Sequence, residues 1–304
     1  MKSQANITSQ RSIAAATGFA LAWLFAPMPA VAQNAYITNQ GISPNFSNNV
    51  TVIDTTTNKV VTTIEVGLAP SGVAVAPDGS KVYVANEAVK GTVSVIDAAT
   101  NAVSATVAVG NNPVGVAVKP DGSKVYVTND AVDGTVSAID TATNAVRATV
   151  AVGSHPVGVA VKPDGSKVYV ANRGSRTVSV IATATNTVVA TVDVGLAPFG
   201  VAVTPDGSKV YVTNLNNTVS VIATATDAVS ATISVGNGPV GIAFTPDGSK
   251  AYIANQFDHT VSVVATATNT VAATVNVGTS PIAFGIFIRP RFAGTPGSPN
   301  SSGH

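Results

Sequence analysis

The chain has 304 residues, 45% apolar and only 10% charged, no cysteine, and a formal net charge of +1. High charge with low hydrophobicity, the signature of disorder, is absent, and no disulfide can hold the fold together. The near-balance of charge also excludes the cationic surplus from which nucleic-acid binding draws its affinity.

In chain order the first element is a leader. Lys2 and Arg11 give a basic start, residues 13–25 an apolar stretch, and Ala30-Val31-Ala32 a small-x-small cleavage motif. Residues 1–32 are therefore expected to be a secretory signal, with Gln33 opening the mature chain. The apolar stretch is short for a membrane span, which takes about 20 residues. Cleavage removes Lys2 and Arg11 and no acid, leaving 14 basic and 15 acidic residues. It also removes Met1, Trp23 and Met28, so the mature chain has no Trp, Met or Cys. The expected location is the periplasm, the cell surface or the medium.

From there on, one module repeats. Pro-Asp-Gly-Ser-Lys occurs five times, its Asp at Asp78, Asp121, Asp164, Asp206 and Asp247, spaced by 43, 43, 42 and 41 residues. A Tyr-Val/Ile-Ala/Thr-Asn string follows each, from Tyr83, Tyr126, Tyr169, Tyr211 and Tyr252, and a sixth starts at Tyr36. One module yields four strands. In the third these are 115–119 (GVAVK), 125–128 (VYVT), 135–139 (TVSAI) and 146–152 (VRATVAV), each rich in Val and alternating with Thr, Ser or Ala. Pro120-Asp121-Gly122 has the chemistry of a turn with positive φ at Gly. Asn144 suits the left-handed position of a tight hairpin, as do Asn58, Asn101, Asn186, Asp227 and Asn269.

These elements predict an all-β, closed β-propeller of six four-stranded blades over residues 33–292, with 293–304 a flexible tail. The mature chain begins at a second strand (Tyr36 onward) and ends with a first strand (285–289), so each end carries what the other lacks. Pairing them would close the ring and remove two exposed edges.

The strings Tyr-Val-Thr-Asn, Thr-Val-Ser-Val-Ile-Asp, Val-Gly-x-x-Pro-x-Gly-Val-Ala-Val and Pro-Asp-Gly-Ser-Lys resemble the YVTN-repeat β-propeller family, which takes in surface-layer and YncE-like periplasmic propellers. The resemblance covers about 36–290. It implies the propeller fold and an extracytoplasmic setting, but no shared reaction. Familiar members look seven-bladed, so a seven-bladed or differently closed ring stands as the alternative to six.

With the usual strand order, the Pro-Asp-Gly loops and third-to-fourth hairpins share one face, nearly identical from blade to blade. The opposite face varies: 40–49 (QGISPNFSNN), 87–90 (EAVK), 130–133 (DAVD), 173–176 (RGSR), 215–217 (LNN) and 256–259 (QFDH). A specific ligand needs an asymmetric surface, which points to the variable face. Its candidate binding residues are Glu87, Asp130, Asp133, Arg173, Arg176, Asp258 and His259, with His155 from a blade connection. The centre is expected at Asp130, Asp133, Arg173 and Arg176.

No nucleophile elbow, P-loop, dinucleotide fingerprint, calcium loop or zinc spacing is present. No catalytic residue, metal ligand or cofactor is therefore assigned. The leading expectation is a monomeric, non-enzymatic module that binds a protein, peptide or envelope component. The alternatives are a propeller enzyme of the lactonase or lyase kind and a structural surface-layer component.

Overall fold

A computed structural model describes residues 34–42 and 45–282 of the chain. These residues hold 23 strands and no helix, grouped into six sheets. The third module shows why. Its strands are Pro113–Val118, Lys124–Asn129, Thr135–Asp140 and Ala145–Ala151. Each is dense in β-branched side chains, which pack well on a pleated surface. The four pair in chain order, each antiparallel to the last, with Tyr126 opposite both Ala117 and Ala138.

The turns take the conformations their residues suit. Gly122 of the Pro-Asp-Gly turn sits at φ +71°, and Asn144 of the tight hairpin at +50°. Asn58, Asn101, Asn186, Asp227 and Asn269 share that left-handed position, with φ between +50° and +55°.

Neighbouring sheets come closest along their first strands and diverge toward their fourth. The sheets therefore radiate from an axis lined by first strands, as propeller blades do. The core lies between blades. Tyr126, Val136, Ala138 and Val150 of the third blade pack on Val168, Val170 and Ile181 of the fourth, and the same arrangement recurs at the other junctions. Full burial of a Val or Ile is worth about 1.5–3 kcal/mol, so repeated junctions can hold a chain that has no disulfide. Polar ties join the same neighbours. Lys81, Lys124, Lys167 and Lys209 donate from Nζ to the carbonyl oxygens of Thr141, Thr183, Thr224 and Thr266, each one blade on, at 2.9–3.2 Å.

Among the described residues the first sheet has three strands, Asn34–Ile42, Asn45–Asp54 and Lys59–Glu65, which correspond to the second, third and fourth strands of the other blades. The segment expected to supply its first strand, 285–289, lies outside the described residues, as do the leader 1–32 and the tail 293–304. The two end blades differ from the others in exposure at the positions that face the junction between them. Ile37 is 49% exposed, whereas Val84, Val127, Val170, Val212 and Ile253 at its position are all 0%. Val275 is 46% exposed, whereas Ile64, Val107, Val150, Val192 and Ile233 are 4–6%. Among the described residues, the sixth and first blades do not make the junction that the other neighbours make.

Candidate functional site: the rim of the variable face

Each blade places one side chain at the inner rim by the same local device. The Asn that ends the second strand is buried and pinned: Asn129 Nδ2 donates to Thr135 Oγ1 and Ser137 Oγ of the third strand, at 2.9 and 3.0 Å. A glycine presses against it. A Cβ at Gly110 would stand 2.5 Å from Asn129 Cγ, so only glycine fits there without displacement. The residue directly after this Asn is Gln40, Glu87, Asp130, Arg173, Leu215 and Gln256 in turn around the ring.

A second device fixes the connection between blades. The residue before each opening proline is left-handed: Ala69, Asn112, His155, Ala197 and Gly238 have φ between +47° and +64°. Its N–H reaches back to the preceding blade's loop and its carbonyl accepts from the next blade's rim residue. His155 N–H donates to Ala131 O at 2.8 Å, and Arg173 N–H donates to His155 O at 2.9 Å. Three blade positions are thereby locked to one another through backbone alone.

On this frame the side chains converge. His155 Nδ1 lies 2.7 Å from Asp130 Oδ1. A carboxylate can only accept, so Nδ1 is the donor, and in the neutral imidazole Nε2 is the acceptor. Arg173 donates to the other oxygen, Asp130 Oδ2, at 3.4 Å. One blade back, Gln40 Nε2 donates to Glu87 Oε2 at 2.7 Å. Burial pushes the half-buried Glu87 carboxyl above the usual range and the nearby Asp130 adds to this, while Gln40 and Arg173 hold it down. Four blades thus contribute to one polar arc: Gln40, Glu87, Asp130 with His155, and Arg173.

Of the eight residues singled out from sequence, four meet here: Glu87, Asp130, His155 and Arg173. Asp133 and Arg176 do not join them. Both are exposed, and among the described residues neither forms an ion pair. The reason is radial: the second-to-third loop starts near the axis and runs outward, so its first residue reaches the rim and its last stands away from it. The centre of the polar arc is therefore Asp130, His155 and Arg173, not the two loops as wholes. Asp258 and His259 are spent on loop structure. Asp258 Oδ2 accepts from Asn237 N–H at 2.6 Å, and His259 Nδ1 accepts from Ser280 N–H at 2.9 Å. Gln40 was missed, although its place directly after Asn39 marks it as the counterpart of Glu87 and Asp130.

Among the described residues, no group of three or more His, Cys, Asp or Glu is placed to hold a metal. Cavities of about 350 and 290 Å³ open elsewhere, one between the third and fourth blades near Ala151 and Thr191, the other on the repetitive face beside Asp206 and Asp247. The arc itself is open, with the His155 and Arg173 side chains 39% and 41% exposed.

The fold has known counterparts. Hydrazine synthase of Kuenenia stuttgartiensis superposes with a TM-score of 0.72 at 24% identity, over 82% of this chain and 85% of the other. A functionally unknown protein from Desulfotomaculum acetoxidans DSM 771 gives a TM-score of 0.66 at 20% identity, over 81% and 87%. At such identities the likeness is one of fold alone. No curated protein matches the chain. Residues 97–284 match the family described as "Lactonase, 7-bladed beta-propeller", although the described residues form six sheets. The chain belongs to this lactonase-type β-propeller family.

Proposed function

We propose that the polar arc is a hydrolytic site for a small cyclic ester, with His155 as the general base. The observation that carries this reading is the Asp130–His155 contact of 2.7 Å with Arg173 on the second carboxylate oxygen. It supplies three parts of an ester-hydrolysing constellation: a base, a group that orients the base, and a cation beside both. Nε2 of neutral His155 takes a proton from water, and the hydroxide adds to the lactone carbonyl carbon. The guanidinium of Arg173 faces the oxygen on which charge develops. The ring C–O bond then breaks and the proton passes to the departing ring oxygen, giving the open hydroxy acid. Membership of a lactonase family supports the same reaction class.

The test is turnover of a panel of γ- and δ-lactones by the purified protein, followed by proton release. His155→Ala and Asp130→Asn should each lower kcat/KM by about a hundredfold or more, within the range attributed to general acid–base catalysis. Absence of turnover across the panel would sink this reading.

A second reading has its own support in the openness of the arc, since enclosure strengthens the electrostatics on which catalysis depends. On that reading the rim binds without turnover, engaging a protein, peptide or envelope component outside the cytoplasm. Capture from envelope extract that weakens at least tenfold on Asp130→Ala or Arg173→Ala, with no lactone consumed, would favour it.

A further inference from the structure

Beyond Arg173 the rim changes character. At the position directly after the buried Asn, the fifth blade carries Leu215 where the preceding four carry Gln40, Glu87, Asp130 and Arg173. At the fourth-to-fifth connection Leu196-Ala197 stands where the two preceding connections have Asn111-Asn112 and Ser154-His155, and the first-to-second has Leu68-Ala69. The sixth blade adds Phe257. These residues are joined by backbone and side-chain contacts and not merely by sector. Leu215 N–H donates to Ala197 O at 3.3 Å. The loop that Leu215 opens continues to Asn217, whose Oδ1 accepts from Gly238 N–H at 3.2 Å. Over Gly238 lies the ring of Phe257, so near that a Cβ on Gly238 would stand 2.4 Å from it. Leu196 and Phe257 are 46% and 59% exposed. Leu215 is without purpose for the fold, since the same position elsewhere carries Gln40, Glu87, Asp130, Arg173 and Gln256 at no cost to the strands.

We infer that Leu196, Leu215 and Phe257 form an apolar subsite continuous with the polar arc, and that the ligand is amphipathic: a lactone bearing an alkyl or aryl substituent. This rests on the lactone reading of the arc. The polar ring of such a ligand sits against Asp130, His155 and Arg173, and its substituent runs onward round the rim, across the blade junction, onto Leu215 and Phe257. The order of the blades fixes the direction. The opposite direction from Asp130 also holds an exposed leucine, Leu68, but it leads over Glu87 and Gln40, where a hydrocarbon would bury a half-buried carboxyl and its hydrogen-bonded amide without replacement partners.

The experiment compares γ-lactones with no substituent and with alkyl chains of increasing length, for wild type, Leu215→Ser and Phe257→Ser. Burial of each methylene corresponds to a factor of roughly two to four, so kcat/KM should rise by about that factor per carbon until the patch is covered. In either serine variant the rise should flatten, while activity on the unsubstituted lactone stays within about twofold of wild type. A kcat/KM independent of chain length in wild type, with turnover present, overturns the subsite and leaves the hydrolytic reading standing. If no lactone is turned over, the hydrolytic reading fails, and calorimetric titration with non-hydrolysable γ-lactams of the same chain lengths still decides the subsite. Affinity that grows with chain length and flattens in Leu215→Ser supports it, and affinity flat in wild type overturns it.

Discussion

Tyr211 donates its phenolic hydrogen to Oδ1 of Asn269, a residue 58 positions later and one blade further round the ring. Tyr126 reaches Asn186 and Tyr169 reaches Asp227 in the same way, at 3.2 and 3.3 Å. The tyrosine that marks the repeat in the sequence is thus a tie between neighbouring blades. The Asn it meets is the left-handed residue of the next tight hairpin. Two signals that look local are two halves of one contact.

That contact has an alkaline signature. Burial pushes the hydroxyls of Tyr126 and Tyr211 up to about 12, against about 10 in an unfolded chain. A group with a raised folded pKa contributes stability that is present below the unfolded value and lost as pH rises through the folded one. Thermal stability should therefore fall between about pH 10 and 12. Phenolate absorbance should lag behind that of free tyrosine until the fold opens. Tyr211→Phe should lower stability by about 1 kcal/mol at neutral pH, the usual worth of one hydrogen bond. Titration of all tyrosines near pH 10 in the folded protein would contradict the burial described here.

The repetitive face has the opposite, acidic signature. The Thr204 hydroxyl and then the Ser208 N–H hold the Asp206 carboxyl at about 2, and Thr245 and Ser249 do the same for Asp247. The unfolded value is about 3.9. A depressed carboxylate stabilises the fold above the unfolded pKa, and that share is lost as pH falls through the folded one. The melting temperature should accordingly drop between about pH 4 and 2. In Thr204→Val/Thr245→Val the drop should be smaller and end at higher pH, because without its strongest donor each folded carboxylate moves back toward the unfolded value. A wild-type melting temperature that stays level down to pH 2 would rule these turns out as the cause.

The close approach of glycine to the buried Asn is testable without touching the rim. A Cβ at Gly195 would lie 2.6 Å from Asn214 Cγ, and Asn214 is held by Thr218 and Ser220 at 3.1 and 3.0 Å. Gly195→Ala should cost about 1–3 kcal/mol in urea unfolding, the range for overpacking. Gly79→Ala offers a contrast: its Cβ would meet nothing within 4 Å, so its cost comes from the φ of +73° alone. Equal tolerance of alanine at both sites, with no loss of stability, would mean that the Asn–Gly packing is unimportant.

The junction between the first and sixth blades gives the fourth prediction. Ile37 and Val275 face no neighbouring blade among the described residues, and residues 285–289 (GIFIR) have the pattern of a first strand. Deleting from Pro281 onward should expose blade edges and cause aggregation or marked loss of stability. Deleting only 294–304 should change little, since that tail has no strand pattern. Identical behaviour of the two truncations would eliminate closure by 285–289.

Much of the fold was legible because its signals are short-range. Alternation over five or six residues and a Pro-Asp-Gly turn depend on neighbours in the chain, and each recurs often enough to be unmistakable. The same reasoning went astray where a contact crosses blades. Nothing local in Pro-Asp-Gly-Ser-Lys shows that the Nζ atoms of Lys124 and Lys167 bond carbonyl oxygens 59 and 57 residues away as ties between blades. Asp133 and Arg176 read as equal partners of Asp130 and Arg173 because they share their loops, but distance from the axis separates them.

By itself the sequence determined the strands, the turns, the identity of the module and which face varies, since all of these follow from backbone preferences within about forty residues. Only the tertiary structure decided which side chains meet. His155 reaches Asp130 across 25 residues, and Gln40 reaches Glu87 across 47. The physical reason lies in the connections. A left-handed residue before each opening proline sets how one blade is turned against the next, and that turn brings the first residue of one variable loop beside its neighbour's while carrying the last residue away.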